Sequence, residues 1–180
     1  MHTEKEIKVR FPIGKFKYPE TFTHAHIRSY IETLQSHPIK LREAIAVLTE
    51  EQLNTPYREG GWTVLQVVHH LADSHMNSYI RFKLAFTEDN PTIKPYLEEK
   101  WAETIDGKTA PVWVSLNLLD ALHYRWVLFL NSLKEEDFKK TFYHPDQKRE
   151  LSIVDALALY SWHCQHHLAH ITTLKIKENW

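Results

Sequence analysis

The chain has 180 residues, of which 43% are hydrophobic and 25% charged, a length and composition that suit one globular domain over residues 1–180. A formal net charge of −1 gives no electrostatic basis for binding nucleic acid or an anionic membrane, and no stretch approaches the roughly 18 apolar residues of a membrane span. The single cysteine, Cys164, rules out an intramolecular disulfide, and the charged N-terminal sequence is not that of a signal peptide, so we expect a cytoplasmic protein.

The N-terminal half of the chain begins with segments of mixed character. Residues 1–22 contain two prolines and a glycine and are predicted to form an extended N-terminal arm. Residues 24–48 have apolar side chains at helical spacing. Within them, Ser36 resembles an N-cap and Pro38 a first-turn residue. This segment is therefore predicted to be either one interrupted helix or two short helices.

Three further long helices are predicted from their caps and periodicity. The first begins with the capping-box pair Thr63 and Gln66, and the last begins with Ser152 as N-cap and Asp155 three residues later. Residues 88–111 have no clean period and are predicted to be a long loop with one helical turn. The three predicted helices cover residues 64–87, from Pro111 or Ser115 to about 133, and 153–177.

The segments that precede two of these helices form a weak internal repeat. LTEEQLNTPY at 48–57 resembles LKEEDFKKTFY at 133–143, although coincidence between two acidic turns would also account for it. A true repeat would make the two helices that follow face each other across one core. We therefore predict an all-α protein, a four-helix bundle with a crossover connection, whose cofactor site would lie between facing helices.

The most distinctive motif is WHCQHHLAH, residues 162–170. His163 and His167 are four residues apart on one helical face, as are His166 and His170. The first pair lies in the middle of the apolar stripe of the helix and the second pair toward its edge. Buried imidazoles must be hydrogen-bonded, metal-bound or destabilising. A stacked pair favours a divalent metal, which needs nitrogen ligands at roughly 2.0–2.1 Å.

A third ligand must come from another helix. The predicted helix 64–87 offers His69, His70 and His75. His75 lies nearest its apolar stripe, His70 flanks the stripe, and His69 lies further round. Periodicity leaves both His70 and His75 as candidates, and His75 also fits a hydrogen-bonded core histidine.

Three stretches of the sequence are specific enough to indicate a family: GGWTVLQVVHHLADSHMNSYIRFK (60–83), FYHPD (142–146) and WHCQHHLAHI (162–171). They resemble the YfiT group of the DinB-like superfamily, and the resemblance extends over nearly the whole chain. It implies a cytoplasmic, dimeric four-helix bundle that acts as a metal-dependent hydrolase. It also implies one divalent metal per subunit, bound by His70, His163 and His167. The choice of His70 over His75 rests on this resemblance.

Three histidine ligands with an open fourth position are typical of a catalytic metal. Zinc is expected and nickel is compatible; such a metal would lower the pKa of a bound water to about 7. In metalloproteases a Glu beside the first histidine acts as base, but here Cys164 occupies that position and is expected to be a small buried hydrophobe. The base is then either the metal-bound water itself or Asp73. Asp73 could instead hold the free N–H of a ligand imidazole.

Two other functions are compatible with the same motif. Relatives in the wider superfamily suggest a thiol S-transferase, in which the open position would bind a low-molecular-weight thiol such as bacillithiol. A non-catalytic metal-binding stress or sensor module is the third reading. If the protein is an enzyme of either kind, we expect its binding partner to be a small-molecule substrate. Candidates to recognise an anionic substrate are Tyr79, Arg81 and Lys83, and Tyr96 and Trp101 could line a pocket mouth.

Overall fold

Helices dominate the computed structural model, which describes residues 4–180. A 3₁₀ helix at Glu135–Lys139 leads into a hairpin of strands β1 (Thr141–His144) and β2 (Arg149–Ser152). No helix in residues 4–180 is both long and apolar enough to cross a membrane. The helices are α1 (Glu4–Arg10), α2 (His24–Ile45), α3 (Glu50–Leu53), α4 (Val64–Thr87), α5 (Glu98–Trp101), α6 (Ile105–Thr109), α7 (Val112–Asn131) and α8 (Ile153–Glu178).

The four long helices, α2, α4, α7 and α8, form the predicted four-helix bundle. Helix α2 packs against α7 and α8, and α4 packs against the same two helices. Helices α2 and α4, the first two long helices of the chain, therefore lie on one diagonal of the bundle, and α7 and α8 lie on the other. This arrangement requires crossover connections, as predicted.

Both predicted helix starts are confirmed by reciprocal capping bonds. The Gln66 amide donates to Thr63 Oγ1 at 3.1 Å, and the Thr63 amide donates to Gln66 Oε1 at 3.0 Å. The Asp155 amide donates to Ser152 Oγ at 3.1 Å, and the Ser152 amide donates to the Asp155 carboxylate at 3.0 Å. These bonds satisfy amides that the first helical turn leaves without partners.

The prediction for the first long helix was wrong in one respect. Helix α2 runs without a break from His24 to Ile45, and Pro38 lies inside it rather than at the start of a second helix. Leu34 and Leu41 on either side of the proline are fully buried. Packing of this face helps to offset the cost of an interior proline, which loses a helical hydrogen bond and crowds the preceding turn, about 3 kcal/mol in total.

Two connecting segments are more ordered than predicted. The predicted arm is helical over Glu4–Arg10 and extended only after it, while residues 1–3 lie outside the described part of the chain. The connection 88–111 contains two short helices, α5 and α6, rather than one turn. Gln66 Nε2 donates to the Ala102 carbonyl at 2.9 Å, and His69 Nε2 lies 3.0 Å from the Ala110 carbonyl. These bonds attach the connection to α4.

The predicted internal repeat has a structural counterpart. Helices α4 and α8 both follow a short helical segment and begin with a capping box; an isolated antiparallel bridge, Pro56 with Thr63, precedes α4, and the β1–β2 hairpin precedes α8. The Val64 amide donates to Thr55 at 3.2 Å, and the Ile153 amide donates to Lys140 at 2.9 Å. This extended backbone pairing, which the sequence did not predict, precedes the first turn of each helix.

The apolar core is divided into two clusters by a layer of histidines. The first cluster is built around Leu34, Phe82, Trp126 and Leu157, and the second is built around Leu41, Leu71, Leu119 and Ile171. Between the clusters, each long helix contributes one imidazole to what we call the histidine layer: His37 from α2, His75 from α4, His123 from α7 and His163 from α8.

Candidate metal centre

Three imidazoles from α4 and α8 converge at the edge of the histidine layer. One ligand nitrogen from each of His70, His163 and His167 lies within 4.8 Å of the other two. His70 Nε2 and His163 Nε2 are 3.3 Å apart. Two nitrogen ligands at tetrahedral angles around a zinc-sized ion are about 3.3–3.4 Å apart. The donor set therefore fits one divalent transition metal.

The positions of these rings follow from the packing of α4 on α8. His163 and His167 are one turn apart on α8, with ring centroids 4.4 Å apart. Trp62, which precedes α4, packs on the His70 ring with centroids 4.6 Å apart. His70 and His167 are buried, while His163 retains partial exposure.

The three rings are neutral at pH 7. Burial, and secondarily the nearby His170, lowers the pKa of His70 to about 4. Burial together with the neighbouring histidines lowers the pKa of His163 and of His167 well below 6.5. A transition metal binds the neutral imidazole, so proton competition at this site is weak near neutrality.

The structure distinguishes between the histidines that periodicity left open. His75 is not part of the triad; its Nε2 lies 3.1 Å from His163 Nδ1, on the side of that ring away from His70. His69 contacts α7 instead, and its Nδ1 lies 2.7 Å from Ser115 Oγ. Only the rotation of α4 relative to α8 brings His70 next to His163, and sequence periodicity does not give that rotation.

A second group of histidines adjoins the first and shares His167. One ligand nitrogen from each of His166, His167 and His170 lies within 4.8 Å of the others. Within residues 4–180, the buried Nδ1 atoms of all three have no hydrogen-bond partner. By helical spacing, His166 and His170 were expected at the edge of the apolar stripe of α8. They are buried because Trp162 stacks on His166 at 4.3 Å and Tyr57 stacks on His170 at 4.0 Å.

The other candidate residues differ in how they relate to the triad. Burial, and then the charge of Asp106, raises the pKa of Asp73 to about 6. Among the hydrogen bonds of residues 4–180, none joins the Asp73 carboxylate to a ligand imidazole, so the structure gives its orienting role no support.

The rings of Tyr96 and Trp101 pack together, with their centroids 4.7 Å apart. Cys164 is fully buried, and burial raises the pKa of its thiol, as expected for a small apolar side chain.

The stability of the metal-free protein is expected to fall as the pH is lowered from about 6.5 toward about 4. Burial lowers the pKa of His37 to about 3, and of His70 and His123 to about 4. The unfolded chain therefore binds more protons than the folded chain in this window, and each such histidine contributes up to about 1.4 kcal/mol per pH unit. The raised pKa of Asp73 has the opposite effect on the free energy of unfolding, but Asp73 is one group against three histidines.

Urea unfolding in the presence of a chelator, at about pH 7 and about pH 5.5, measures this difference. A lower free energy of unfolding at the lower pH is the expected result. Equal values at the two pH values would contradict the burial of these imidazoles in the neutral form.

Known proteins resemble this chain along nearly its full length. A relative from Bacillus cereus, provisionally named a metal-dependent hydrolase, is 57% identical over 172 residues, covering 96% of this chain and 98% of its own. A relative from Bacillus anthracis with the same provisional name is 56% identical and covers the same fractions of the two chains. The solved structure of YfiT from Bacillus subtilis, described as a probable metal-dependent hydrolase with an unusual four-helix bundle topology, matches with a TM-score of 0.95 and 50% identity, covering 97% of this chain and 99% of YfiT.

The family assignment agrees with these similarities and with the resemblance found in the sequence. The model of the DinB superfamily matches residues 33–171, a range that contains all of α4 and α7, the greater part of α2 and α8, and all three histidines of the triad. The chain belongs to the DinB superfamily.

Proposed function

We propose that the protein is a metal-dependent hydrolase in which His70, His163 and His167 bind one divalent transition metal per subunit, within a single domain over residues 1–180. The observation that carries this proposal is the convergence of three neutral imidazole nitrogens within 4.8 Å of one another. A centre with only three protein ligands has an open position, which is typical of catalytic sites. The provisional names of the relatives support the same reading.

Zinc is the metal we propose, and nickel is the alternative, because neutral imidazole suits both. When bound, such a metal lowers the pKa of a water molecule and polarises a carbonyl. The chain itself supplies the orientation: Trp62 packs on His70, and His75 lies against the outer nitrogen of His163. The ligand rings therefore have little freedom to rotate.

Asp73 is the proposed general base. Its carboxyl has a pKa of about 6 because it is half buried, so near neutrality it is largely ionised yet basic enough to accept a proton from water. Groups with a pKa close to the working pH are the most effective in this role. Asp73 is on α4, one turn after His70.

The substrate side of the site is proposed to include Tyr96, Trp101 and Arg81. Burial raises the pKa of Glu98 even though the positive charge of Arg81 opposes it, which puts Arg81 within electrostatic range of the helix that contains Trp101. An arginine within electrostatic range of the helix that contains one of these aromatic side chains suits a small molecule with an anionic group.

The metal content of the untagged protein tests the ligand set. We expect about one equivalent of a transition metal in the wild type and in His24→Ala, whose exposed ring lies beside Glu135. We expect loss of that metal in His163→Ala and in His167→Ala, with helical content retained, because two imidazoles alone bind weakly. Elemental analysis and circular dichroism measure both. A wild type that takes up neither zinc nor nickel would rule out the proposed function.

Turnover of ester, amide and phosphoester substrates, with and without a low-molecular-weight thiol, tests the reaction. We expect hydrolysis without thiol, lost in His167→Ala. In Asp73→Asn we expect kcat to fall by about 10²–10⁴-fold with the metal retained, as for loss of a general base. Turnover that requires thiol would instead identify an S-transferase. A metal-loaded protein inactive in every assay would favour the sensor reading.

We also propose a cytoplasmic homodimer formed through α7. This helix exposes a row of large apolar side chains: Trp113, Val114, Leu118, Tyr124 and Leu128. An unpartnered apolar face of this kind marks a protein interaction surface. A second copy of the chain would bury it by a self-complementary contact.

Size-exclusion chromatography with light scattering tests the dimer. The wild type is expected to be dimeric at micromolar concentration, and Leu118→Glu is expected to be monomeric because the charge would be buried at the interface. Ile176→Glu, at an exposed apolar position on α8 outside this row, is the control for adding a surface charge and should remain dimeric. A monomeric wild type would be evidence against this interface.

A further inference from the structure

Pro38 lies in the middle of a long buried helix, where proline is normally avoided. In an uninterrupted helix the amide of residue 38 would donate to the carbonyl of Leu34. Proline has no amide hydrogen, and its ring pushes the carbonyl four residues earlier outward. The Leu34 carbonyl therefore lacks its helical partner, although Leu34 itself is fully buried.

The partner that replaces the missing amide comes from α7. His123 Nδ1 lies 2.6 Å from the Leu34 carbonyl oxygen. A carbonyl oxygen can only accept a hydrogen bond, so Nδ1 of His123 must bear the hydrogen. In a neutral ring, the other nitrogen, Nε2, then has a bare lone pair. The tautomer of His123 is thus fixed by a backbone atom of α2.

The assignment of donor and acceptor nitrogens in His123 fixes the same assignment in the next two rings toward the metal centre. His123 Nε2 lies 2.7 Å from His75 Nδ1, so that atom of His75 must be the donor. His75 Nε2 is then an acceptor, and it lies 3.1 Å from His163 Nδ1. His163 donates from Nδ1 in turn, which leaves a bare lone pair on His163 Nε2. That atom is the one 3.3 Å from His70 Nε2.

We propose that Pro38, His123 and His75 are positioning residues for the metal centre, because together they fix His163 in the tautomer that has its Nε2 lone pair available. The inference rests on the ligand set proposed above. We call the chain Leu34 carbonyl–His123–His75–His163 the histidine relay. It holds the ring of a ligand in place and increases the basicity of its free nitrogen, as hydrogen-bonded partners of metal ligands do.

The relay orients the ligand but does not carry protons away. Its outer end is a peptide carbonyl, which cannot accept a proton at neutral pH, so the chain of rings has no exit for one. It also contains no carboxylate, the usual partner of a ligand histidine. His37 packs beside the relay, with its ring 5.7 Å from those of His75 and His123, but within residues 4–180 its Nε2 has no hydrogen-bond partner.

Nitrogen-15 NMR of the metal-free full-length protein near neutral pH tests the tautomers directly. We expect His75, His123 and His163 to bear hydrogen on Nδ1. His69 and His170 are internal references, because their Nε2 atoms donate to the carbonyls of Ala110 and Arg10, and they should show the opposite tautomer. A hydrogen on Nε2 of His163 would overturn the proposal.

Zinc affinity, measured by competition with a chromophoric chelator, tests whether the histidine relay strengthens metal binding. His123→Phe should weaken binding by about 10–100-fold, the usual effect of losing a group that orients a ligand. His123→Gln should recover part of this loss, because an amide can both donate to Leu34 and accept from His75. His69→Phe, at a buried histidine next to His70 but outside the relay, is the matched control and should bind zinc within about twofold of the wild type.

Pro38→Ala gives a result that a purely structural role does not predict. The new amide competes for the Leu34 carbonyl, so zinc affinity should fall, by less than in His123→Phe because a carbonyl has two lone pairs. The midpoint of urea unfolding should rise, because the helix regains a hydrogen bond. Unchanged zinc affinity in Pro38→Ala and His123→Phe would overturn the proposal. A wild type that binds zinc with the expected tautomers but has no hydrolytic activity would leave the relay intact and refute the proposed function alone.

Discussion

Burying imidazole rings between apolar helices is the constraint on which the rest of this structure depends. A neutral imidazole has one donor and one acceptor nitrogen, and each needs a partner when water is excluded. The bundle provides partners along one line, from the Leu34 carbonyl through His123 and His75 to His163. Where that line ends, at His163 Nε2, the remaining lone pair meets other imidazoles rather than a donor from the backbone. A metal ion, as proposed above, would be the partner for this cluster of lone pairs.

This arrangement has a cost in folding free energy that the apolar clusters on either side must offset. An interior proline and a buried ring nitrogen without a partner, such as His37 Nε2, are each unfavourable by a few kcal/mol at most. Both lie in or next to the histidine layer beside the proposed metal centre, and Leu34 and Leu41 in the flanking clusters are fully buried. Violations of local rules in natural proteins concentrate at functional sites, and the location of these two agrees with that tendency.

The parts of the fold that depend on local sequence could be predicted, and the parts that depend on the packing of distant segments could not. Capping boxes and the pairing of His163 with His167 involve residues three or four apart, so their spacing is sufficient. The choice between His70 and His75 depends on how α4 is rotated against α8, and only the family resemblance indicated it. Pro38 was misread because the rule for proline at a helix start is local, whereas the donor that makes an interior proline tolerable belongs to another helix.

The separation of the proposed ligands along the chain has a consequence for folding. His70 and His163 are 93 residues apart, so an ion held by both would act as a cross-link that closes a very long loop. In the chain-entropy model, closing a loop of this length removes unfolded-state entropy worth about 4–5 kcal/mol at 25 °C. The ion would thus take the place that a disulfide has in secreted proteins, in a chain whose only cysteine, Cys164, is buried. Unlike a disulfide, this cross-link would be reversible and governed by the free concentration of the metal.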